Sequence, residues 1–282
     1  MKTIFKMLIS IILLLLVVFV ILQKSDIPLE ALKGKYCNDA SKFIEMDGMN
    51  VHYKIEGEGN PIVLIHGTGS VLQTWDEWTD SLVRHNYKVI RLDMPGFGIT
   101  GPRKDNDYSI KMYVNFLDKF MQKIGIDTFA LSGNSLGGEI AWCYAATFPQ
   151  KVKELILVDP SGFYAKDKKN GAIVFKLARI KWMAALMSKI DTKMIVEKTV
   201  KDVYEDDSKI KPSTVQMYYD MSLRAGNRAS FSARVQQIGK EVLPPVSTIQ
   251  SPTLIMWGKQ DKLIDISMAE HFKAIPNSTL IV

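Results

Sequence analysis

The chain has little of several things, and each shortage narrows what it can be. Two cysteines, Cys37 and Cys143, stand far apart in 282 residues. Their contexts suggest neither a disulfide framework nor a metal site, and no cofactor is called for. Cys143, in an apolar segment, reads as a small buried hydrophobe. Excess charge is also missing. The formal net charge is +6 and the lysines are scattered. Their densest group, Lys166, Lys168 and Lys169, has no interleaved aromatics and no DNA-binding motif, which argues for a solvated loop and against nucleic acid as a partner. No internal repeat or low-complexity tract interrupts the chain, and there are four histidines. What is plentiful is apolar side chain, 47% of the residues, enough for one large core.

Long apolar runs are absent except at the start. Met7 to Leu22 is apolar apart from Ser10. Extending back to Ile4 adds only Lys6, whose stem can snorkel, so the run is long enough to span a bilayer or nearly so. A cleaved signal peptide is the rival reading, with Lys2 and Lys6 as its basic front. Val20-Ile21-Leu22-Gln23-Lys24 offers no pair of small residues to a peptidase, so residues 1–23 are expected to be an uncleaved single-pass anchor. The domain that follows is expected on the non-cytoplasmic side. Residues 24–41, polar and carrying Pro28 and Gly34, read as a tether.

From there strands and helices alternate. Phe43–Met46 and Met49–Ile55 flank Asp47-Gly48, a hairpin signal. Pro61–Ile65, Tyr87–Leu92, Phe129–Leu131, Glu154–Val158 and Thr253–Trp257 are short apolar runs of the kind buried on both faces. A helix is expected around Thr74–Leu82, another from Ser109 carrying Tyr113, Leu117 and Phe120 on one face, and a third over Ile266–Ile275 before a last strand, Thr279–Val282. Such alternation predicts a mostly parallel sheet covered by helices on both sides and opened by an antiparallel hairpin. Between about residues 161 and 245 the strand signal stops. Phe175, Ala178, Trp182, Met183, Leu186 and Met187 fall near one helical face, and further helices are expected over Ile195–Val203 and Ser213–Leu223. An excursion of helices between two strands of one sheet predicts a cap over the carboxyl edge. Its Met and aromatic stripe either lines an apolar pocket or packs the cap onto the core.

The stretch with chemical content is Thr128–Thr147. Gly133-Asn134-Ser135-Leu136-Gly137 is G-x-S-x-G between a strand and a helix. Such a turn strains the serine backbone and presents its hydroxyl above a helix amino terminus, where developing negative charge is favoured. A second glycine pattern, Gly96-Phe97-Gly98-Ile99-Thr100-Gly101, satisfies G-x-G-x-x-G, yet it leads into the polar loop Pro102–Asp105 and not a helix, so a dinucleotide site is not expected.

In order along the chain, His66-Gly67-Thr68-Gly69, Asp93-Met94-Pro95-Gly96-Phe97-Gly98, the turn at Ser135 and Trp257-Gly258-Lys259-Gln260-Asp261 resemble the landmarks of the α/β-hydrolase superfamily, in its capped branch of lipases, esterases and C-C bond hydrolases. The resemblance covers roughly Phe43 to Val282. It implies an α/β-hydrolase fold over residues 42–282 with a helical cap between strands 6 and 7. Carried over, it makes Ser135 the nucleophile, Thr68 and Leu136 the oxyanion-hole amides, and Asp261 the acid of a Ser-His-Asp triad. Asp159 is the acid in some relatives and is kept as an alternative to Asp261, its structural reading being a cap on the turn at Pro160. Serine at the elbow disfavours the dehalogenase and epoxide-hydrolase branches, which place aspartate there.

The family's histidine lies after the last strand, where this sequence stops. His52 and His85 are expected at the surface, His66 in a structural role, and His271 outside the sheet. The sequence is therefore expected to be truncated before its catalytic histidine, or else to lack a base. Two functions follow from this. One is a membrane-anchored serine hydrolase acting on small-molecule carboxylic esters through an acyl-enzyme. The other is a non-catalytic ligand-binding or scaffold protein on the same fold.

Overall fold

The computed structural model describes residues 6–7, 10, 13, 17–163 and 173–282. Of the apolar run assigned above to an anchor, residues 8–9, 11–12 and 14–16 lie outside the described residues. Among those described, no helix is long and apolar enough to cross a membrane. Lys166, Lys168 and Lys169 also lie outside them.

The chain begins its globular part with α1 (Leu29–Tyr36), then β1 (Ser41–Met46), β2 (Met49–Glu56) and β3 (Asn60–Ile65). A 3-10 turn, Leu72–Trp75, leads into α2 (Asp76–Arg84), followed by β4 (Tyr87–Leu92), α3 (Ile110–Lys123), β5 (Phe129–Asn134), α4 (Leu136–Thr147) and β6 (Val152–Val158). Among the described residues five helices intervene: α5 (Ile173–Ala178), α6 (Lys181–Met187), α7 (Lys193–Val203), α8 (Pro212–Ser222) and α9 (Asn227–Gln237). The chain then returns to the sheet as β7 (Thr253–Met256), α10 (Ala269–Phe272) and β8 (Ser278–Ile281).

The eight strands form one sheet in the order β1-β2-β4-β3-β5-β6-β7-β8. β1 pairs antiparallel with β2, and β2 with β4. Every later pairing is parallel. Register decides what the sheet presents at its carboxyl edge: Ile65 pairs with Gly133, Asn134 with Val158 and Val158 with Met256. The loops after β3, β5, β6 and β7 therefore leave the sheet side by side. Residues far apart in sequence, at 66–69, 135, 159 and 257–261, meet there. In a parallel sheet this edge is where ligands bind.

Core formation follows the periodicity. α3 starts at Ser109, whose hydroxyl accepts the Met112 amide at 3.1 Å, and it turns Tyr113, Leu117 and Phe120 inward. Two local expectations need restating. Residues 24–41, read as a polar tether, contain α1, and its Leu32 is buried against Val71, Ile99 and Met221. The stripe from Phe175 to Met187 is broken by extended backbone at Ile180, which resets the helical phase. Ala178 and Met187 point inward, while Trp182 is 68% and Leu186 37% exposed.

The cap is fastened to the core by polar contacts. Asn227 donates to the Gly98 carbonyl at 3.0 Å, the Arg224 guanidinium donates to the carbonyls of Ile99 and Thr100, and Tyr108 pairs with Ser230 at 2.7 Å. Arg234 and Glu139, each 2% exposed, form an ion pair at 3.1 Å.

Candidate active site

Ser135 sits between β5 and α4 with φ 54° and ψ −116°, a backbone conformation that an L-residue adopts only under constraint. The constraint is close packing of the turn. A Cβ on Gly137 would stand 2.1 Å from the Ile65 carbonyl oxygen, so only glycine lets α4 approach β3. Gly67 closes in from the other side, its missing Cβ lying 3.2 Å from the Ser135 Cβ. The loop carrying Thr68 is thus pressed against the serine, with Leu136 opening the helix on its far side. The Ser135 side chain is half-buried and makes no capping bond to α4.

Hydrogen bonds then run from the serine across the neighbouring strand ends. The Ser135 amide donates to the Val158 carbonyl at 3.1 Å, and the Asp159 amide to the Met256 carbonyl at 2.9 Å. Asp159 Oδ1 accepts the Gly258 amide at 2.7 Å, and the Asp261 amide donates to the Gly258 carbonyl at 3.1 Å. Asp261 Oδ1 in turn accepts the amides of Leu263 and Ile264 at 2.7 and 2.9 Å, which fixes the carboxylate. Two carboxylates therefore share the rim, each held by backbone donors through one oxygen.

Both are shifted upward. Burial is the main cause for Asp159; the Gly258 amide opposes it, the charge of Asp261 adds to it, and the result is about 6. Burial also raises Asp261, against the pull of the Ile264 and Leu263 amides. The sign for Asp159 follows. A folded-state pKa above the unfolded value means stability is greatest at low pH and falls as pH rises from about 4 through about 6. Asp159→Asn is expected to remove that dependence and to raise the melting temperature at pH 7 relative to wild type, with little difference at pH 4. Thermal denaturation at the two pH values checks it.

The histidines divide by environment. His66 is buried and uses both ring nitrogens, with Nδ1 against the Gly67 carbonyl at 2.8 Å and Nε2 accepting the Met94 amide at 3.0 Å. An imidazole that accepts through Nε2 and donates through Nδ1 is neutral, and burial lowers its pKa. His52, expected at the surface, is fully buried instead, bonding Asp93 at 2.8 Å through Nδ1 and Ser41 at 3.0 Å through Nε2. The reason is that the hairpin strand β2 pairs with β4 and is covered, so its alternate residues face inward. His85 is exposed on the carbonyl of Ser81, and His271 stacks on Phe163 at 4.5 Å. No histidine is hydrogen-bonded to Ser135 among the described residues.

The second glycine pattern also finds its use here. The Asp93 carboxylate accepts the amides of Leu72 and Ile99 in addition to His52, and a Cβ on Gly98 would stand 2.2 Å from its carboxyl carbon. The loop wraps an internal anion and has no room left for a pyrophosphate.

Above the serine loop, the Phe231 ring of α9 lies 3.7 Å from where a Cβ on Gly69 would stand, and Phe175 packs on Phe231 with centroids 5.5 Å apart. These two rings, only one of them within the sequence stripe, form the apolar roof. Phe231 was illegible because α9 is polar overall. A cavity of about 440 Å³ lies elsewhere, along the Glu139–Trp142 face of α4 and toward Phe163 and His271. Ser135 does not line it, so it is not read as the acyl pocket.

A mostly parallel sheet with a strained serine at its carboxyl edge, an amide-bearing loop beside it and a helical cap above defines an α/β hydrolase. Residues 60–282 match the family described as alpha/beta hydrolase fold, and the chain belongs to that family. It is similar to 2-hydroxy-6-oxo-2,4-heptadienoate hydrolase of Pseudomonas putida, at 24% identity over 81% of this chain and 82% of that one. It is also similar to Lipase 3 of a Moraxella species, at 26% identity over 92% and 78%. Among solved structures, a bacterial membrane phospholipase A superposes with a TM-score of 0.73 at 24% identity, over 99% of this chain and 90% of that one, a likeness of fold.

Proposed function

We propose that this hydrolase cleaves carboxylic esters of lipid-like substrates through an acyl-enzyme on Ser135, and that residues 1–23 hold it to a membrane with the domain on the non-cytoplasmic side. The observation that carries the reading is the Ser135 backbone at φ 54°, ψ −116°, held by the close glycine contacts around it. Its hydroxyl stands at the amino terminus of α4, where the helix dipole favours an oxyanion. The amides of Leu136 and Thr68 would hold that oxyanion, and Asp261 would orient the base, with Asp159 as the alternative acid. The apolar roof of Phe175 and Phe231 favours an acyl chain, and the chain is similar to a lipase as well as to a dienoate hydrolase.

The test is labelling by a fluorophosphonate probe of the protein extended through the histidine that the family resemblance places after the last strand. Wild-type protein is expected to carry the probe on Ser135, located by peptide mass spectrometry, and Ser135→Ala to carry none. A folded wild-type protein that stays unlabelled would sink the reading and leave ligand binding without turnover.

A further inference from the structure

Helix α6, KWMAALM, is apolar at every position after Lys181, yet only one face is buried. Ala184 and Met187 pack inward, while Trp182, Ala185 and Leu186 lie exposed on the other face. Ile180 before the helix is 44% exposed and Met194 after it 83%. Apolar side chains clustered like this at the surface mark an interaction site.

Two further observations say what covers it. The first is continuity. Past α6, Ile190 bridges Gln23, the Lys24 amide donates to the Lys189 carbonyl at 2.9 Å, and the Asp191 amide to the Leu22 carbonyl at 2.7 Å. Arg228 locks this junction by donating to the Ile190 and Lys24 carbonyls and to Asp26. Immediately before it run Val17, Val18, Val20, Ile21 and Leu22, also exposed and apolar. The end of the amino-terminal apolar run is therefore pinned against the strap that follows the exposed face of α6. The second is charge. Residues 173–203 carry seven lysines and arginines against three acidic residues, a net charge of +4 out of the chain's +6. Lys181, Lys189 and Lys193 are exposed beside the apolar face. Apolar side chains rimmed by lysine fit the boundary between acyl chains and anionic headgroups.

We propose that the outer face of α6, with Ile180 and Met194, docks on the surface of an anionic phospholipid bilayer, Trp182 and Leu186 entering the acyl boundary. The proposal rests on the reading that the amino-terminal run enters the same bilayer, and it deepens the lipid part of the proposed function. α5, which carries Phe175 against Phe231 above Gly69, immediately precedes the docked helix, so docking sets the cap on the phase that holds the substrate.

The test reconstitutes the full chain into vesicles of phosphatidylglycerol and phosphatidylethanolamine bearing brominated acyl chains, and reads tryptophan emission. Trp75, Trp142 and Trp257 are buried, Trp78 is half-buried against Trp75, and residues 1–23 contain no tryptophan. Quenching of about a fifth of the emission is expected, one tryptophan of five, and Trp182→Phe should remove it. Replacing Lys181, Lys189 and Lys193 together by glutamate should at least halve the quench with the melting temperature unchanged. Equal emission in brominated and unbrominated vesicles overturns the proposal. So does Trp182 becoming shielded from acrylamide in detergent as protein concentration rises, which would assign the face to a second copy of the chain. Quenching needs no turnover, so an unlabelled Ser135 leaves this result standing, and a labelled Ser135 without quenching refutes the docking alone.

Discussion

In a protein that carries the histidine the α/β-hydrolase resemblance places after the last strand, Ser135→Ala should lower kcat/KM toward a short-chain ester by about three to six orders of magnitude while leaving the protein folded. The size follows from what alanine removes and what it leaves. The covalent route is lost, whereas the amides of Leu136 and Thr68 and the roof of Phe175 and Phe231 remain. A residual rate above the uncatalysed reaction is therefore expected. Stability separates this from misfolding. Alanine suffers the same strain as serine at φ 54°, ψ −116°, so its melting temperature should match wild type. Glycine adopts that conformation freely, and Ser135→Gly should be more stable by about 1–3 kcal/mol. At about 2–4 °C per kcal/mol for a domain of this size, the rise is measurable by scanning calorimetry. An inactive, stabilised glycine variant is what a functional site under strain predicts. Equal activity in all three proteins would mean the hydroxyl takes no part in turnover.

Much of this arrangement is legible in the sequence, because backbone strain and strand burial leave local signatures. Gly133, Gly137 and the run Phe129–Leu131 announced the turn at Ser135, and buried runs at β3, β4, β6 and β7 announced the parallel sheet. The illegible parts depend on partners distant in sequence. His52 looked like a surface residue of a hairpin. Only the pairing of β2 with β4 brings Asp93, forty-one positions away, against its ring. Phe231 sits on a helix whose composition is polar, and its role follows from the close approach of Gly69 beneath it. The break at Ile180 is similar: residues on either side fit one helical face, and packing of two separate helices decides that Trp182 faces out. Periodicity finds an apolar face but does not say whether protein or something else covers it.

The largest effect on folding should come from Asp93→Ala, at about 3–5 kcal/mol of destabilisation, because it deletes an internal anion around which three segments are organised. Its oxygens receive the Leu72 amide at 2.8 Å, the Ile99 amide at 2.9 Å and His52 at 2.8 Å. Removing the carboxylate leaves all three donors buried without acceptors and opens the space against Gly98. Asp93→Asn tests which part matters. It keeps the volume, but one oxygen becomes an amino group facing either the Leu72 amide or the Ile99 and His52 pair, so a cost of about 1–3 kcal/mol is expected. Charge adds a pH signature. Burial by itself would raise the Asp93 pKa, but the attraction and bond of His52, then His66 and the Leu72 amide, outweigh it and hold the carboxyl below its usual 3.8. A depressed folded-state pKa contributes stability above the unfolded value and loses it as pH falls through the folded one. The gap between wild type and Asp93→Asn should thus be constant near neutrality and narrow only below about pH 4. Urea denaturation across that range measures it. The effect should reach the site as well, because the Leu72 amide closes the loop that begins at Gly67 and Thr68. A loosened Asp93 is expected to lower fluorophosphonate labelling of Ser135 even where the domain remains folded.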